Sequence, residues 1–383
     1  MEKYAYITGW GKYIPEVVLT NDDLAKMVDT SDEWISSHTG IRERHIAGPE
    51  DTVSSMSVAA AKEALDKAGI RGGDLDLIIM ATSSPDYLLP GAAGIVQDRL
   101  GAHKAAAFGL RAGCSGFVYA LSIARQFIAT GAYEHILVVG AEVTSPAVDW
   151  SDRRTCVLFG DGAGAAILEG RDEPGGIISI QMGTKGSAYD ALYVPGMGSA
   201  YPLCPKTLTE RKNVIHMDGQ KAGRFAARTL LRNSGDAVRA SGLSWPEIDL
   251  FIPHQANLRL IEFAAKKLRF PMEKMFINLD RYANMSTASI PVALCEAAEQ
   301  GRLKDGDHVL LVGFGSGLNW ATAVIQWGAP ERPRRRLVWW QFVPLSKEAL
   351  SSTRKSVRSA MDTVSSTAGT ILLPFLSSLR KKK

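Results

Sequence analysis

The chain has 383 residues, 46% of them hydrophobic and 22% charged, enough apolar material for two packed halves or one large domain. No run of 18 or more apolar residues occurs, so no membrane-spanning helix is expected. The formal charge of +4 is uneven: residues 331–383 hold twelve Lys/Arg against three Asp/Glu, a net of +9, which leaves 4 − 9 = −5 elsewhere and removes the case for a nucleic-acid-binding body.

Residues 3–9 read as a strand, not as a secretory leader, because no basic region precedes an apolar core. An Ala-rich helix is expected over 57–67, stopped near Gly69, and a short turn and a strongly apolar strand follow within 68–79. A loop carrying Cys114 leads into a buried helix over 117–128, followed by an apolar strand at 136–139. A strand over 250–252 leads to His254, a helix is expected over 256–268, and the segment from Asn284 to Thr287 opens another helix. Apolar strands without polar alternation are buried on both faces, which predicts parallel pairing with helices on either side. Alternating strands and helices predict an α/β fold.

Two segment pairs repeat at one gapless offset. Asp76, in Ala68-Gly-Ile-Arg-Gly-Gly-Asp-Leu-Asp-Leu-Ile-Ile79, matches Asp249, in Ser241-Gly-Leu-Ser-Trp-Pro-Glu-Ile-Asp-Leu-Phe-Ile252, and 249 − 76 = 173. His135-Ile-Leu-Val-Val-Gly140 matches His308-Val-Leu-Leu-Val-Gly313, and 308 − 135 = 173. The repeat predicts two pseudo-symmetric halves and sets Cys114 opposite Thr287.

Three residues could do chemistry. Cys114, in Arg111-Ala-Gly-Cys-Ser-Gly-Phe117, is flanked by small residues at a helix start, where the positive end of the dipole favours a thiolate able to accept an acyl group. A buried inert cysteine is the alternative. His254 follows a strand, where α/β proteins gather ligand-binding loops, and suits proton transfer or hydrogen bonding; a capping or core histidine is the alternative. Asn284 offers an amide that does not titrate, or a helix cap. The Gly-rich stretches at 159–165 and 313–318 lack the Lys-Ser/Thr of a phosphate cradle. The four cysteines, 114, 156, 204 and 295, lack metal-ligand spacing, so free thiols in a reducing cytoplasm and no metal are expected.

Taken together, Ala112-Gly-Cys-Ser-Gly-Phe117, Pro253-His-Gln-Ala-Asn-Leu-Arg259 and Asn284-Met-Ser-Thr-Ala-Ser-Ile-Pro291 resemble the three active-site motifs of the β-ketoacyl-[acyl-carrier-protein] synthase III family, in that family's order. Thr30-Ser-Asp-Glu-Trp-Ile35 and Thr39-Gly-Ile-Arg-Glu-Arg-His45 resemble its N-terminal signature. The resemblance implies a thiolase fold, an αβαβα sandwich of halves 1–172 and 173–328, with 329–383 as a basic extension. It implies a homodimer using acyl-CoA and malonyl-[acyl-carrier protein], with no cofactor beyond the CoA thioester. In it, Cys114 takes the acyl group, His254 and Asn284 stabilise an enolate, and the N–H groups of Cys114 and Ser316 form an oxyanion hole. Trp34 and Arg153 would flank CoA. Gln255, Ala256, Asn257, Leu258 and Arg259, with Lys266 seven residues on from Arg259, would meet the carrier.

The chain departs from that family at several positions. His38 stands in place of an arginine expected near CoA phosphate. Gly223 and Leu89 stand where aromatics are common, which implies a larger acyl channel and a primer longer or more branched than acetyl. Beyond residue 329 a basic, near-helical pattern suggests contact with anionic membranes, or a solvated tail. An acyltransferase with another acceptor, and a non-catalytic or membrane-tethered binding protein, stand as the alternative functions.

Overall fold

A computed structural model describes residues 3–330; the basic extension over 331–383, with its proposed membrane contact, lies outside the described residues. The strands, in chain order, are β1 (Tyr4–Tyr13), β2 (Val17–Thr20), β3 (Glu43–Ile46), β4 (Leu77–Ala81), β5 (Ala106–Leu110), β6 (His135–Glu142), β7 (Gly162–Arg171), β8 (Ile177–Thr184), β9 (Leu192–Tyr193), β10 (His216–Met217), β11 (Leu250–Pro253), β12 (His308–Gly315) and β13 (Asn319–Gln326). One sheet has the order β1-β7-β6-β4-β5 and a second β11-β12-β13-β8; β2 pairs with β3, and β9 with β10.

The apolar runs lack alternation because each inner strand faces two cores. Leu77 and Ile79 of β4 enter a central core shared with Leu250 and Ile252 of β11 and with the helices Gly116–Ala129 and Ser289–Glu299. Ile78 and Met80 face the opposite way, onto Val53–Ala68 and Ala92–Arg99. Phe251, Leu310 and Val312 likewise face Gly219–Arg228, Ser234–Ala240 and Leu258–Leu268. The result is five layers, helix–sheet–helix–sheet–helix, and each fully buried Leu or Ile in them contributes about 1.5–3 kcal/mol.

The expected parallel pairing occurs between β4 and β5, β4 and β6, and β11 and β12. The flanking strands run antiparallel, so both sheets are mixed. Between β12 and β13 only residues 316–318 intervene, too few for a crossover. Helix starts also differ from expectation. Val53–Ala68 begins four residues before 57 because Thr52 caps it, accepting from Ser55 N–H, and it ends at Gly69 in the left-handed region. Leu258–Leu268 begins two residues after 256 because the Asn257 side chain caps it through Arg259 N–H.

The first sheet ends at Arg171 and the second begins at Ile177, while the described residues form one compact unit. Halves of 1–172 and 173–328 are therefore a proposed division of topology, not of separate bodies. The repeat is visible in three dimensions. The 3-10 turns Gly113–Ser115 and Ser286–Ala288 stand 173 residues apart and touch, Thr287 Oγ1 accepting from Phe117 N–H at 3.0 Å. Glycines at the same offset admit them: a Cβ on Gly140 would lie 2.6 Å from Thr287 O, and one on Gly313 would lie 2.9 Å from Ser115 Cα.

Candidate active site

Cys114 sits in the Gly113–Ser115 turn that leads into the helix Gly116–Ala129. The dipole there favours a thiolate, but the side chain is enclosed, and burial wins: it pushes the thiol up to about 11. The hydrogen bond between Ser286 and the sulfur opposes that rise, and the charge of Glu142 adds to it. The pull of the dipole toward thiolate, expected from the sequence, is thus opposed by burial. Ser316 packs against this turn, its backbone N 2.8 Å from where a Cβ on Gly113 would stand.

His254 follows β11, its N–H bonded to Val312 O at 2.8 Å. The ring is buried edge-on to Phe314, with centroids 5.2 Å apart, and its Nδ1 has no hydrogen-bond partner among the described residues. Burial lowers its pKa to about 3, so the imidazole is neutral at pH 7.

Asn284 is fixed from three sides. Its N–H donates to Leu158 O at 2.9 Å, its carbonyl accepts from Gly160 N–H at 3.1 Å, and its Oδ1 accepts from Ser286 N–H at 2.8 Å. Asn284 is not the cap, since Met285 and Ala288 stand at the N-cap positions of the turn and the helix that follow, but the bond from Ser286 N–H turns its amide: with Oδ1 committed, the NH2 is the group left to the cavity. Behind the 157–160 loop stands Arg44, fully buried and bonded to Val157 O, Leu19 O and Asn21 Oδ1. Burial pushes its guanidinium down to about 10, still charged at neutral pH. The Gly-rich stretch at 159–165 is also structural, since Asp161 within it accepts from the N–H groups of Ala47, Thr144 and Ser145.

Cys114, His254 and Asn284 line one apolar cavity of about 230 Å³, together with Gly223. A Cβ on Gly223 would meet nothing within 4 Å, so the space an aromatic would fill is open. A second cavity of about 480 Å³ opens on the other side of Cys114, lined also by Ser316, Glu142 and Ser286. Glu142 and Ser286 were not singled out as candidates from the sequence; the one available signal was that Glu142 ends an apolar strand, where α/β proteins collect functional groups.

The outlying candidates divide. Trp34 and Arg153 are together, the guanidinium 5.1 Å from the ring centroid, and His38 stacks on Trp34 at 4.6 Å. Arg259 and Lys266 are exposed on one helix, with Ala256, Asn257 and Leu258 partly buried before and at its start. Gln255 is enclosed and its amide is spent on Pro253 O, Phe276 O and Asn278 N–H, so it braces the loop and presents nothing to a partner. Leu89 is 85% exposed and lines neither cavity of its own chain.

Residues 108–186 match the family described as 3-oxoacyl-[acyl-carrier-protein] synthase III, and residues 238–327 match its C-terminal part. The β-ketoacyl-[acyl-carrier-protein] synthase III of Roseiflexus sp. (strain RS-1) is 48% identical over 329 residues, covering 86% of this chain and 100% of that protein. The corresponding protein of Symbiobacterium thermophilum is 49% identical over 322 residues, covering 84% and 98%. The crystal structure of 3-oxoacyl-[acyl-carrier-protein] synthase III from Aquifex aeolicus VF5 matches with a TM-score of 0.79 at 43% identity, covering 84% of this chain and 100% of that one. Identity close to one half along the whole length of such relatives, with the same layered fold, means that this chain belongs to the β-ketoacyl-[acyl-carrier-protein] synthase III family, thiolase-fold acyltransferases of fatty acid biosynthesis.

Proposed function

We propose that the chain condenses an acyl group from acyl-CoA with malonyl-[acyl-carrier protein], releasing carbon dioxide and a β-ketoacyl-[acyl-carrier protein]. The observation that carries this reading is a thiol, Cys114, sharing one apolar cavity with two uncharged donors, His254 and Asn284. Cys114 attacks the acyl thioester and CoA leaves; the N–H groups of Cys114 and Ser316 receive the developing oxyanion. Malonyl thioester then loses carbon dioxide, and His254 and Asn284 donate to the enolate oxygen. Neutral donors suit this step, because a cationic imidazolium would bind the ground-state carboxylate as well as the enolate. The enolate carbon attacks the Cys114 thioester and expels the sulfur.

Trp34 and Arg153 touch one another and would part to admit a CoA base between them. Arg259 and Lys266 supply positive charge for an acidic carrier, with Ala256, Asn257 and Leu258 at its edge. The 480 Å³ cavity and the open space at Gly223 support a primer longer or more branched than acetyl. A homodimer is supported by exposed apolar side chains at Leu88 and Leu89 and at Phe108 on the edge strand β5; Leu89 would then act in a second subunit's pocket. No cofactor is invoked, the cytoplasm is the proposed location, and co-sedimentation of the full chain with anionic liposomes tests membrane contact through 331–383.

The test is incubation with a panel of acyl-CoAs and malonyl-[acyl-carrier protein], with products read by mass spectrometry. A β-ketoacyl product that disappears in Cys114→Ala supports the reading. Acylation without condensation points to another acceptor, and no acylation at all to a binding protein.

A further inference from the structure

A buried acid stands beside the nucleophile and has no part in the reaction above. Glu142 is 2% exposed, and its hydrogen-bond partners among the described residues are all uncharged donors. Oε1 is saturated by Thr82 Oγ1, the N–H groups of Ser83 and Ser84, and Ser84 Oγ, at 2.5–3.0 Å. Oε2 has a single partner, Ser286 Oγ, at 2.7 Å. Ser286 Oγ is in turn, among the described residues, the one side-chain hydrogen-bond partner of Cys114 Sγ, at 3.5 Å. With its own proton on Glu142, that hydroxyl presents a lone pair to the thiol.

We propose that Ser286 and Glu142 carry the Cys114 proton during acylation: as sulfur attacks the acyl-CoA carbonyl, the S–H proton passes to Ser286 Oγ and the Ser286 proton to Glu142 Oε2. The bond from Cys114 sulfur to the acyl carbon forms and the bond from that carbon to CoA sulfur breaks. The departing CoA thiolate takes the proton back through Ser286, leaves as a thiol, and Glu142 returns to carboxylate. Charge is moved along this path and none is added. A thiolate made by losing the proton to solvent would place a second buried negative charge beside Glu142. Ser286 touches the reacting sulfur; Glu142 acts through Ser286. The other titratable groups lining the two cavities are His254, which burial keeps neutral, Arg111, Tyr189 and Tyr193.

The relay rests on the reading that Cys114 accepts acyl groups from CoA, and the test separates the two. Rapid-mix intact-protein mass spectrometry measures acylation by acetyl-CoA and hexanoyl-CoA from pH 6 to 10 in wild type, Glu142→Gln, Ser286→Ala and Ser286→Thr. The expected wild-type rate is nearly level with pH. Glu142→Gln and Ser286→Ala should be about 100-fold slower at pH 7, the range of a lost general base, and regain about tenfold per pH unit until they approach wild type. Ser286→Thr keeps the hydroxyl but puts a β-branched side chain at a φ of 51°, so it should recover part of the rate and, unlike Ser286→Ala, a level pH profile. Variants within about threefold of wild type at pH 7, or slower by one factor at every pH, overturn the relay, the second result marking a structural role. Should Glu142→Gln fail to fold, the Ser286 pair decides alone. A wild type acylated by neither thioester overturns the functional reading, and the relay with it.

Discussion

The two halves share a backbone plan and divide the chemistry between them. At the 173-residue offset Cys114 stands opposite Thr287, His254 opposite Ala81, Asn284 opposite Arg111, and Glu142 opposite Gly315. Each half supplies a turn, a helix start and strand ends in the same places; each functional side chain faces a counterpart of different chemistry. One turn carries the nucleophile and the other carries its hydroxyl neighbour, Ser286. A duplicated frame thus yields one site near its pseudo-symmetry axis, because the turns from both halves meet there.

That asymmetry can be broken from either side. Cys114→Ala should remove acylation altogether, a loss of at least about 10⁴-fold by single-turnover mass shift, because no other described side chain occupies the attacking position. His254→Ala and Asn284→Ala should each slow condensation by about 10²–10³-fold while acylation by acyl-CoA survives, read as a split between the two half-reactions. On the opposite side, Thr287→Val should leave acylation in place. It removes the acceptor of Phe117 N–H in a buried site, and should cost about 1–3 kcal/mol in urea unfolding.

Smaller effects sharpen the contrast. His254 has its pKa lowered in the fold, to about 3, and an ordinary value when unfolded. Between those values the unfolded chain binds the extra proton, so stability should fall as pH drops from about 6.5 toward 3. His254→Gln should flatten that part of the urea-midpoint profile relative to wild type, while changes at Ala81 should not. Gly223→Phe should shift acyl-CoA competition toward short chains by about tenfold, since it fills open space beside the reacting thiol.

The sequence displayed the frame through its periodicity. Apolar runs at 77–81 and 250–253, a Gly stop at 69 and one repeated offset were enough to place the inner strands and central helices. Antiparallel flanks were less visible because β1, β7, β8 and β13 carry no repeat signal that states direction. Cys114, His254 and Asn284 stood out only in combination, as three motifs in the order of a known family; each alone left a structural alternative open. Glu142 and Ser286 did not, because their meaning lies in a hydrogen-bond chain joining residues 144 apart. Gln255 was misread for the opposite reason: the residues after it, 256–259, are partly or well exposed, and only packing shows its amide turned inward. At Cys114 the sequence reveals the helix dipole and not the depth of burial that opposes it.

The most direct test of the proposed chemistry follows one acyl group through the site by intact-protein mass spectrometry. Wild type and His254→Ala are loaded with acyl-CoA, freed of CoA, and mixed with malonyl-[acyl-carrier protein]. The wild-type adduct on Cys114 should disappear as carbon dioxide and a β-ketoacyl carrier form, and the His254→Ala adduct should persist. An adduct that the wild type retains, or one that both proteins discharge at the same rate, would contradict decarboxylative condensation at a site built from Cys114, His254 and Asn284.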